Sequence, residues 1–540
     1  MRTKQLFKIR LLSFAALCTM ALAVVSCASE DVAQNGKDTD NDKNFTEFVG
    51  GRLETRTTMD YNSGAFYWEA GDKIYVQDDD NVWQVSNNAP NGKVASFKFK
   101  VPGKFTAKAS YKVYYPGKNG TDNNVTIQPT QNQTEPNSTT HFGVSGDCGT
   151  ADAARANGFH FTLDHQAAIL VFQPYNANAE LKDCYLTKVE VTSNDNITGT
   201  YTLNPSTGEL TGTGTGKEIT LNTTGSGAYA HGLPVKTKTA NVETNGTYML
   251  IQPGTHALKV RYWVKDVLTN VEAVMTKDLS SFAYDKNTYY DMKLNMDLKD
   301  YEVTRCHWDA QADYWVGHEW NAANPADRWQ PVVATNPFPH YDALKEPVTP
   351  PRAPNLSYPG LGVRNDAVNL CKDCPNANEL AWYAEKGDPR FDADILWTCM
   401  GHLRKGALWL KKKAKIASDN GKTISDIESK APDNTDWRIA TSPKGFGQKV
   451  TNLTPPSSVD INDYFFLPAL GNANDDPSSK TFYMAGNNAS FWSSSAFTNL
   501  NFGNVAFGFV FYMNDNNELV FSVSSSLQRN HNIMNAWKFE

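Results

Sequence analysis

The stretch from Ser490 to Phe509, SFWSSSAFTNLNFGNVAFGF, joins an aromatic-and-serine unit to a polar segment rich in asparagine. Its opening residues, FWSSS, have the composition of a strand locked into a core, with Trp492 as the large apolar anchor. The asparagines that follow suit a solvent-facing surface, because an amide both donates and accepts hydrogen bonds. We therefore predict a rigid scaffold followed by a ligand-binding surface. The alternative is that Asn499, Asn501 and Asn504 only form turns.

The first residues have the pattern of a secretory signal and are excluded from the fold. A basic segment precedes an apolar run, Leu11 to Val25, that is too short for a stable membrane span. The sequence VVSC, which ends at Cys27, resembles the bacterial lipobox. That resemblance predicts removal of residues 1–26 and acylation of Cys27, which would anchor the protein to the outer membrane. The alternative is an ordinary signal followed by an unrelated cysteine.

The charge balance does not favour nucleic-acid binding, since the chain has no excess of positive charge: the net charge is −7 and the isoelectric point is near 5.9. Aromatic residues make up 12% of the chain, and Asn, Thr, Gly and Tyr are plentiful, as in exported β-rich proteins. We expect no cofactor.

Cys371 and Cys374 have the spacing of a metal-binding pair. Further ligands could come from Cys306, Cys399, His307 and His402. A zinc site usually needs two such close pairs, and this chain has one. A local disulfide or simple thiols are therefore expected in place of a metal.

The first half of the chain predicts two β-domains. Residues 27–50 are polar and charged and predict a flexible tether. Short alternating runs follow, which predict half-buried strands in one domain at residues 51–158 and a second at 159–299. The runs are 73–76, 96–101, 111–115, 125–127, 168–172, 185–191, 248–251, 258–264 and 289–298.

Residues 300–540 form a third predicted domain with a different core, because ten of the 13 tryptophans lie there. One helix is predicted from residue 379 to 384, capped by Asn376 or Asn378. A second is predicted to start after Asp392 or Asp394. Its apolar residues at helical spacing are Leu396, Cys399, Met400 and Leu403.

The β-rich half resembles the fimbrillin-like family of Bacteroidales, the type V pilins. The resemblance rests on RTT at 56–58, FYWEAGDKI at 66–74, HQAAIL at 165–170 and YYDMKL at 289–294. It implies two transthyretin-like β-sandwich domains and assembly with other pilin subunits by donor-strand exchange. It also implies cleavage of an N-terminal linker by an Arg-specific protease, for which Arg52 and Arg56 are the candidates. The alternative is that both are ordinary solvent-facing residues.

The C-terminal part resembles the C-type-lectin-like domain of variable proteins diversified by retroelements. The resemblance rests on LCKDCPN at 370–376, LWTCMGHL at 396–403, KGALW at 405–409, FFLPALG at 465–471 and FWSSS at 491–495. It implies an α+β domain in which Trp492, Ser493, Ser494 and Ser495 form the scaffold. The expected ligand contacts are Asn487, Asn488, Ser490, Asn499, Asn501, Asn504, Phe507, Ser524, Ser526 and His531.

Calcium is not expected to take part in ligand binding. Calcium-dependent lectins pair Glu-Pro-Asn or Gln-Pro-Asp with Trp-Asn-Asp, and the last of these is absent here. Glu135-Pro136-Asn137 does occur, but it lies in the pilin-like half and is interpreted as chance.

The two resemblances together predict a fimbrial adhesin, placed at the fibre tip, that binds a host or bacterial surface glycan or protein. The expected location is the outer membrane, the cell surface or a fimbrium. A monomeric surface lipoprotein and a structural pilus subunit or anchor are the alternatives. An enzyme of formylglycine-generating-like fold is the least favoured, with Cys399 and His402 as its candidate nucleophile and base.

Overall fold

The structure of the chain is a computed structural model, and its described residues fall into two compact units. These residues are 3–5, 44–51, 58–59, 61–62, 66–118, 122–334, 350–439, 441–442, 444–476, 479–482, 486–499, 503–514, 516, 518–528 and 532–540. The first unit lies within residues 1–267 and 272–297, and the second within 268–271 and 298–540. Strands dominate both units, so the prediction of a mainly β chain is confirmed.

The first unit contains strands β1 to β23 and two short helices. The strands are β1 Thr3–Gln5, β2 Phe45–Gly50, β3 Thr58–Met59, β4 Phe66–Tyr67, β5 Tyr75–Gln77, β6 Trp83–Val85, β7 Phe97–Pro102, β8 Ser110–Tyr115, β9 Asn124–Ile127, β10 Thr130–Asn132, β11 Gly149–Arg155, β12 Phe159–Phe161, β13 Asp164–His165, β14 Ala168–Tyr175, β15 Cys184–Ser193, β16 Gly199–Leu203, β17 Leu210–Thr211, β18 Glu218–Asn222, β19 Leu233–Pro234, β20 Thr247–Ile251, β21 Gly254–Asp266, β22 Val271–Tyr284 and β23 Thr288–Asn295. The helices are α1 Phe142–Ser145 and α2 Val242–Asn245, with a 3-10 turn at Gly227–Tyr229.

These strands pair into several sheets. The largest has the order β6-β5-β8-β11-β12-β2-β7, with β13 paired to β11. A second has the order β10-β18-β15-β21-β22, with β19 paired to β15, and a third has the order β1-β23-β14-β20. Residues 3–5 of the predicted signal peptide therefore pair with β23, contrary to the expectation that residues 1–26 lie outside the fold. Two small sheets, β17-β16-β9 and β3-β4, complete the set among the described residues. The predicted strand runs from residue 73 to 298 all coincide with strands of these sheets, within a few residues at their ends.

Strand β2 lies in the interior of the largest sheet, between two neighbours. It runs parallel to β12, with Phe159 opposite Phe48, and antiparallel to β7, with Phe99 opposite Phe48. Phe48 is fully buried, and its ring lies 4.9 Å from those of Phe105 and Phe159. The tether predicted at 27–50 is therefore wrong at its C-terminal end, because its last six residues form a core strand.

The boundary predicted between residues 158 and 159 also differs from the structure. Strands β12 and β13 follow this boundary, yet both pair with β11 of the preceding segment. In the opposite sense, β9 and β10 precede it but pair with β16 and β18. Strand pairing between residues distant in sequence, which local patterns do not reveal, sets the true division.

The second unit contains strands β24 to β35 and three helices. The strands are β24 Arg305–Cys306, β25 Asn365–Asp366, β26 Arg390–Cys399, β27 His402–Lys411, β28 Gly445–Lys449, β29 Tyr464–Pro468, β30 Ala473–Asp476, β31 Ser479–Phe482, β32 Ala489–Asn499, β33 Gly503–Met513, β34 Leu519–Gln528 and β35 Asn532–Asn535. The helices are α3 Ala377–Lys386, α4 Lys413–Asp419 and α5 Ile424–Ser429, with 3-10 turns at Pro325–Asp327, Trp437–Ile439 and Ile461–Asp463.

Two sheets and helix α3 form the framework of this unit. The larger sheet has the order β28-β34-β33-β32-β35-β30-β31, with β24 on β35 and β25 on β32, and the smaller has the order β26-β27-β29. Helix α3 confirms the first helix prediction. Its N-cap is Asn376, whose side chain accepts hydrogen bonds from the backbone N–H groups of Asn378 and Glu379, while the Glu379 carboxylate accepts from the Asn376 N–H.

The second predicted helix is wrong. Leu396 and Cys399 lie on β26, and Leu403 lies on β27, which pairs with β26 in an antiparallel hairpin. Met400 and Gly401 form its turn with φ values of 51° and 72°, the left-handed conformation that two-residue hairpin turns require. The last three residues of β26 and the first three of β27 are all buried, so the alternation typical of a half-buried strand is lost there and the apolar residues imitate helical spacing.

Among the helices in the described part of the chain, none combines the length and the hydropathy that a bilayer span requires.

Substitution of Gly50 tests how tightly β2 is packed. A β-carbon added there would lie 2.7 Å from the Trp68 ring and 2.8 Å from the Phe161 ring. We expect Gly50→Ala to lower the free energy of unfolding by about 1–3 kcal/mol, because a close-packed core must shift to admit a methyl group. Chemical denaturation of the exported chain measures this change.

Gly92→Ala is the matched control, because a β-carbon at Gly92 meets no atom within 4 Å. Its effect should stay within about 0.5 kcal/mol. Equal effects of the two substitutions would contradict the packing argument.

Candidate ligand-binding site

Trp492 on β32 is held in the core by a reciprocal pair of hydrogen bonds. Its indole N–H donates to the Cys306 carbonyl at 2.8 Å, and the indole N–H of Trp308 donates to the Ser493 carbonyl at 2.9 Å. Both indoles are fully buried in one cluster with Cys371 and Ala506. A buried indole needs an acceptor, and each of these finds one on the other's strand or its continuation.

The serines form a bulge where β32 leaves its pairing with β33. The register with β33 shifts between Trp492 and Ala496, so the intervening backbone needs other partners. Ser493 Oγ donates to the Ser495 carbonyl at 2.9 Å and accepts from the Ser495 N–H at 3.0 Å. The Ser494 carbonyl accepts from the Ala367 N–H at 2.8 Å, and the Ser494 N–H donates to the Pro375 carbonyl.

Ser495 connects this bulge to helix α3. Its hydroxyl oxygen accepts from the backbone N–H of Ala377 at 3.1 Å, which is the first residue of the helix. The first N–H groups of a helix have no partner within it, so Ser495 satisfies one of them. Each serine of the run therefore has a structural role, and Ser493 and Ser495 are buried.

Two of the predicted ligand contacts are wrong because they are buried. Ser490 is 3% exposed, and its carbonyl accepts from the Asn535 side chain at 2.8 Å. Phe507 has no exposed surface, and its ring lies 5.5 Å from that of Phe497 and 6.1 Å from that of Trp437. Both residues are parts of the core and cannot contact a ligand in this fold.

The remaining predicted contacts do not form one surface. Asn487 is exposed and Asn488 half-buried, and both precede the start of β32. Asn499 ends the same strand and is opposite Gly503, across the turn from β32 to β33. Eleven residues of extended chain span about 35 Å, so these positions mark opposite ends of the sheet.

The other predicted contacts lie on strands β33 and β34 or outside the described residues. Asn504 is opposite Thr498 near the turn, and Ser524 is half-buried opposite Gly508. The backbone of Ser526 belongs to β34. Asn501 and His531 lie outside the described residues, as do Cys27, Arg52 and Arg56.

The structure reveals a group of exposed apolar residues in the segment before β25 that the sequence patterns do not indicate. Strand β25 pairs with β32, with Asn365 opposite Ala496, three residues before β32 ends at Asn499. In this segment Tyr358 is 52% exposed and Leu361 48% exposed. Leu356 and Val363 are exposed to a similar extent. The available signal was four large apolar residues within a Pro-, Gly- and Asn-rich segment, since loops of that composition seldom bury their side chains.

Cys399 and His402 lie opposite each other across the β26–β27 turn and are both buried. Burial raises the pKa of the Cys399 thiol, although the charges of Arg404 and Arg305 oppose this effect. A nucleophilic cysteine needs a lowered pKa, so this environment favours a structural thiol.

Cys371 and Cys374 lie in the same buried cluster as Cys306. All three are free thiols, and burial raises the pKa of Cys371 well above its ordinary value. In the described part of the chain, His, Cys, Asp and Glu residues form no group of three or more arranged to hold a metal ion.

No protein-family model matches the chain, and no curated protein matches it in sequence. Among solved structures, it is similar to a proposed cell adhesion protein from Bacteroides ovatus, with 14% identity, a TM-score of 0.30 and coverage of 47% of this chain and 92% of that one. A proposed cell adhesion protein from Bacteroides uniformis matches at 16% identity and a TM-score of 0.26, covering 47% and 93%. The fimbrial anchor protein Mfa2 from Porphyromonas gingivalis matches at 11% identity and a TM-score of 0.23, with coverage of 46% of this chain and 90% of that one. Similarities this distant assign no function.

Trp492→Ala tests the scaffold. We expect it to lower the free energy of unfolding of the second unit by about 3–5 kcal/mol, because it opens a cavity and removes the donor to the Cys306 carbonyl. Urea denaturation followed by tryptophan fluorescence measures the loss.

Asn487→Ala serves as the comparison on the exposed segment before the same strand, and its effect should stay within about 0.5 kcal/mol. A stable Trp492→Ala protein would show that the indole is not the anchor.

Proposed function

We propose that the protein is a cell-surface fimbrial adhesin, whose first unit joins a fibre by strand exchange and whose second unit carries the ligand-binding face. The observation that carries the proposal is the position of β2. This strand lies between β12 and β7, with Phe48 in the core, and it ends two residues before Arg52. Its removal would leave two unpaired strand edges and an apolar groove, which is what a donor strand fills.

Processing at Arg52 or Arg56 would separate both the lipid anchor and β2 from the rest of the chain, so that a donor strand can displace β2 and fill the groove. Cys27 and β2 both lie on the N-terminal side of these arginines. Before cleavage the protein is a lipoprotein with its own first strand in place. After cleavage it is a subunit that needs a strand from a partner.

A tip position follows from the end of the first unit. Strand β23 is the last strand of that unit and pairs in parallel with β14 over eight residues. The chain then continues into the second unit from residue 298. Because the chain continues into a whole folded unit after β23, this strand has no free end with which to enter the groove of another subunit. The subunit would therefore accept a donor strand and supply none.

The ligand-binding face is placed at the β32–β33 turn of the second unit. There Asn499 and Asn504 lie on the two strands that meet at the turn, and Tyr358 and Leu361 are exposed in the segment that leads into β25, a neighbour of β32. Tyrosine and asparagine combine contact area with adaptable hydrogen bonding, as in antibody loops. The ligand is a glycan or a protein on a host or bacterial surface.

Two other functions remain as alternatives. A monomeric surface lipoprotein would keep β2 in place permanently, and a structural pilus subunit or anchor would need no ligand-binding face. The enzyme is disfavoured because burial raises the pKa of Cys399, the candidate nucleophile.

Fatty-acid labelling in an expressing Bacteroidales host tests the processing step. We expect an Arg-specific protease to convert a labelled precursor into a shorter, unlabelled form that enters fibres, because the label on Cys27 departs with β2. The double variant Arg52→Ala/Arg56→Ala should stay labelled, full-length and outside fibres.

Cys27→Ser is the labelling control and should carry no fatty acid. Arg155→Ala, an arginine on β11, should be processed normally. A wild-type protein that stays uncut would identify the monomeric lipoprotein, and immunogold labelling along the fibre shaft would contradict the tip position.

The ligand-binding face is tested on an array of surface glycans and proteins probed with the full exported chain. Replacing Tyr358, Leu361, Asn499 and Asn504 by alanine should abolish the wild-type signals, while the free energy of unfolding changes by about 0.5 kcal/mol or less for each of the exposed residues Tyr358 and Leu361.

Asn487→Ala/Asn488→Ala, at the opposite end of β32, is the matched control and should keep the signals. Loss of binding only in this control would move the face to that end, and no array signal for the wild type would favour a structural subunit.

A further inference from the structure

A cavity of about 540 Å³ opens in the first unit, away from the features used above. Its walls include Tyr185, Tyr229, Pro234, Lys236 and Glu243. The volume lies within the range of about 300–1,000 Å³ that is typical of small-ligand sites. The cavity is therefore large enough for one or two sugar rings.

The loop that carries Tyr229 is fixed by its own backbone. The Tyr229 N–H donates to the Ser226 carbonyl at 3.1 Å, and the Tyr229 carbonyl accepts from Gly225 at 2.9 Å and from Gly232 at 3.0 Å. These bonds fix the backbone of Tyr229 at the cavity wall without help from a ligand. Binding then costs little ordering entropy on this side.

Tyr185 supplies a second ring from the sheet. It lies on β15 opposite Pro234, and its ring is 5.7 Å from that of His231. Burial, followed by the charge of Asp183, raises the pKa of its hydroxyl, so this group stays protonated and can donate a hydrogen bond.

A buried tyrosine orients the Glu243 carboxylate through an intermediate asparagine. The Tyr248 hydroxyl donates to Asn137 Oδ1, which directs the amide N–H group of Asn137 to Glu243 Oε1 at 2.8 Å. Asn137 adopts a left-handed φ of 52° to make both contacts. The second oxygen of Glu243 is left to accept from a ligand.

Charges of both signs line the cavity. Lys236 forms no ion pair or hydrogen bond with any residue in the described ranges, whereas Asp183 and Glu243 provide carboxylates on the same walls. The lysine ammonium groups can donate hydrogen bonds and the carboxylates can accept them. A neutral molecule rich in hydroxyl groups can pair with both kinds of group and also pack on the two tyrosine rings. Sugar C–H faces pack on aromatic rings, and sugar hydroxyls both donate and accept.

We propose that this cavity is a second binding site, for a short neutral saccharide, independent of the face on the other unit. Tyr185 and Tyr229 would contact the sugar rings, Glu243 would accept from sugar hydroxyls, and Lys236 would donate to them. An acidic sugar is disfavoured, because the lining has two lysines, Lys182 and Lys236, and two carboxylates, Asp183 and Glu243, and so offers no net positive charge to offset desolvation of the sugar carboxylate.

Saturation-transfer NMR on the full exported chain tests the site with lactose, cellobiose and N,N′-diacetylchitobiose, and with 3′-sialyllactose as the acidic comparison. We expect transfer to the C–H protons of at least one neutral disaccharide. Tyr229→Ala should weaken that binding by about tenfold or more through loss of one ring contact, and Glu243→Gln by a similar factor through loss of the charged acceptor.

Tyr512→Ala, an exposed tyrosine of the second unit outside the proposed face, is the matched control and should leave this binding unchanged. Tyr358→Ala removes a ring from the proposed face and distinguishes the two sites. Thermal melts check that each variant is folded, and Glu243→Gln preserves shape if Tyr229→Ala does not fold. Three results would overturn the proposal: no transfer to any neutral disaccharide, binding that survives both cavity variants, or stronger binding of 3′-sialyllactose. Loss of binding in Tyr358→Ala alone would assign the sugar to the other face.

Discussion

The contact between Trp68 and Gly50 is the constraint on which the first unit depends. The Trp68 indole N–H donates to the Gly50 carbonyl at 3.1 Å, and its ring occupies the space that any side chain at residue 50 would need. The same ring packs edge-to-face on Phe99 and Tyr115, so one side chain joins β2 to the strands around it. Strand β2 fits only because its last residue is glycine, and without β2 the strands β12 and β7 would lose their common neighbour.

The strands of this unit were predictable, and their pairing was not. Alternation of apolar and polar residues identified runs such as 97–102 and the fully buried run at 168–172, because each is a local property of the chain. The partners are distant: β2 pairs with β12 across more than a hundred residues, and β9 pairs with β16. Six residues of modest alternation at the end of a charged segment gave no local sign that they fill a sheet interior.

In the second unit, the features that depend on neighbouring residues in the sequence, the helix cap and the tryptophan anchor, were predicted correctly. The capping residues of α3 follow directly from Asn376 and Glu379, and a tryptophan followed by three serines indicated a core anchor. The contact face was harder to predict, because being near an anchor in sequence does not fix which side of a strand a residue occupies. Ser490 and Phe507 face the core, and a strand eleven residues long separates Asn488 from Asn499. Pairing of β25 with β32, which no sequence pattern indicated, fixes where the exposed segment with Tyr358 and Leu361 joins the sheet.

Strand exchange in this unit would constrain the sequence of the donor. A cut at Arg52 breaks one covalent bond but leaves β2 hydrogen-bonded to both neighbours and Phe48 buried, which alone is worth about 1.5–3 kcal/mol. A donor must therefore supply an equivalent large apolar side chain at the Phe48 position. Two residues later, on the same face of the strand, it must present glycine, because a β-carbon there would meet the Trp68 and Phe161 rings. An aromatic residue followed two positions later by glycine is thus the expected donor pattern, because a β-carbon at the second position would weaken the pairing by the same amount as Gly50→Ala, about 1–3 kcal/mol.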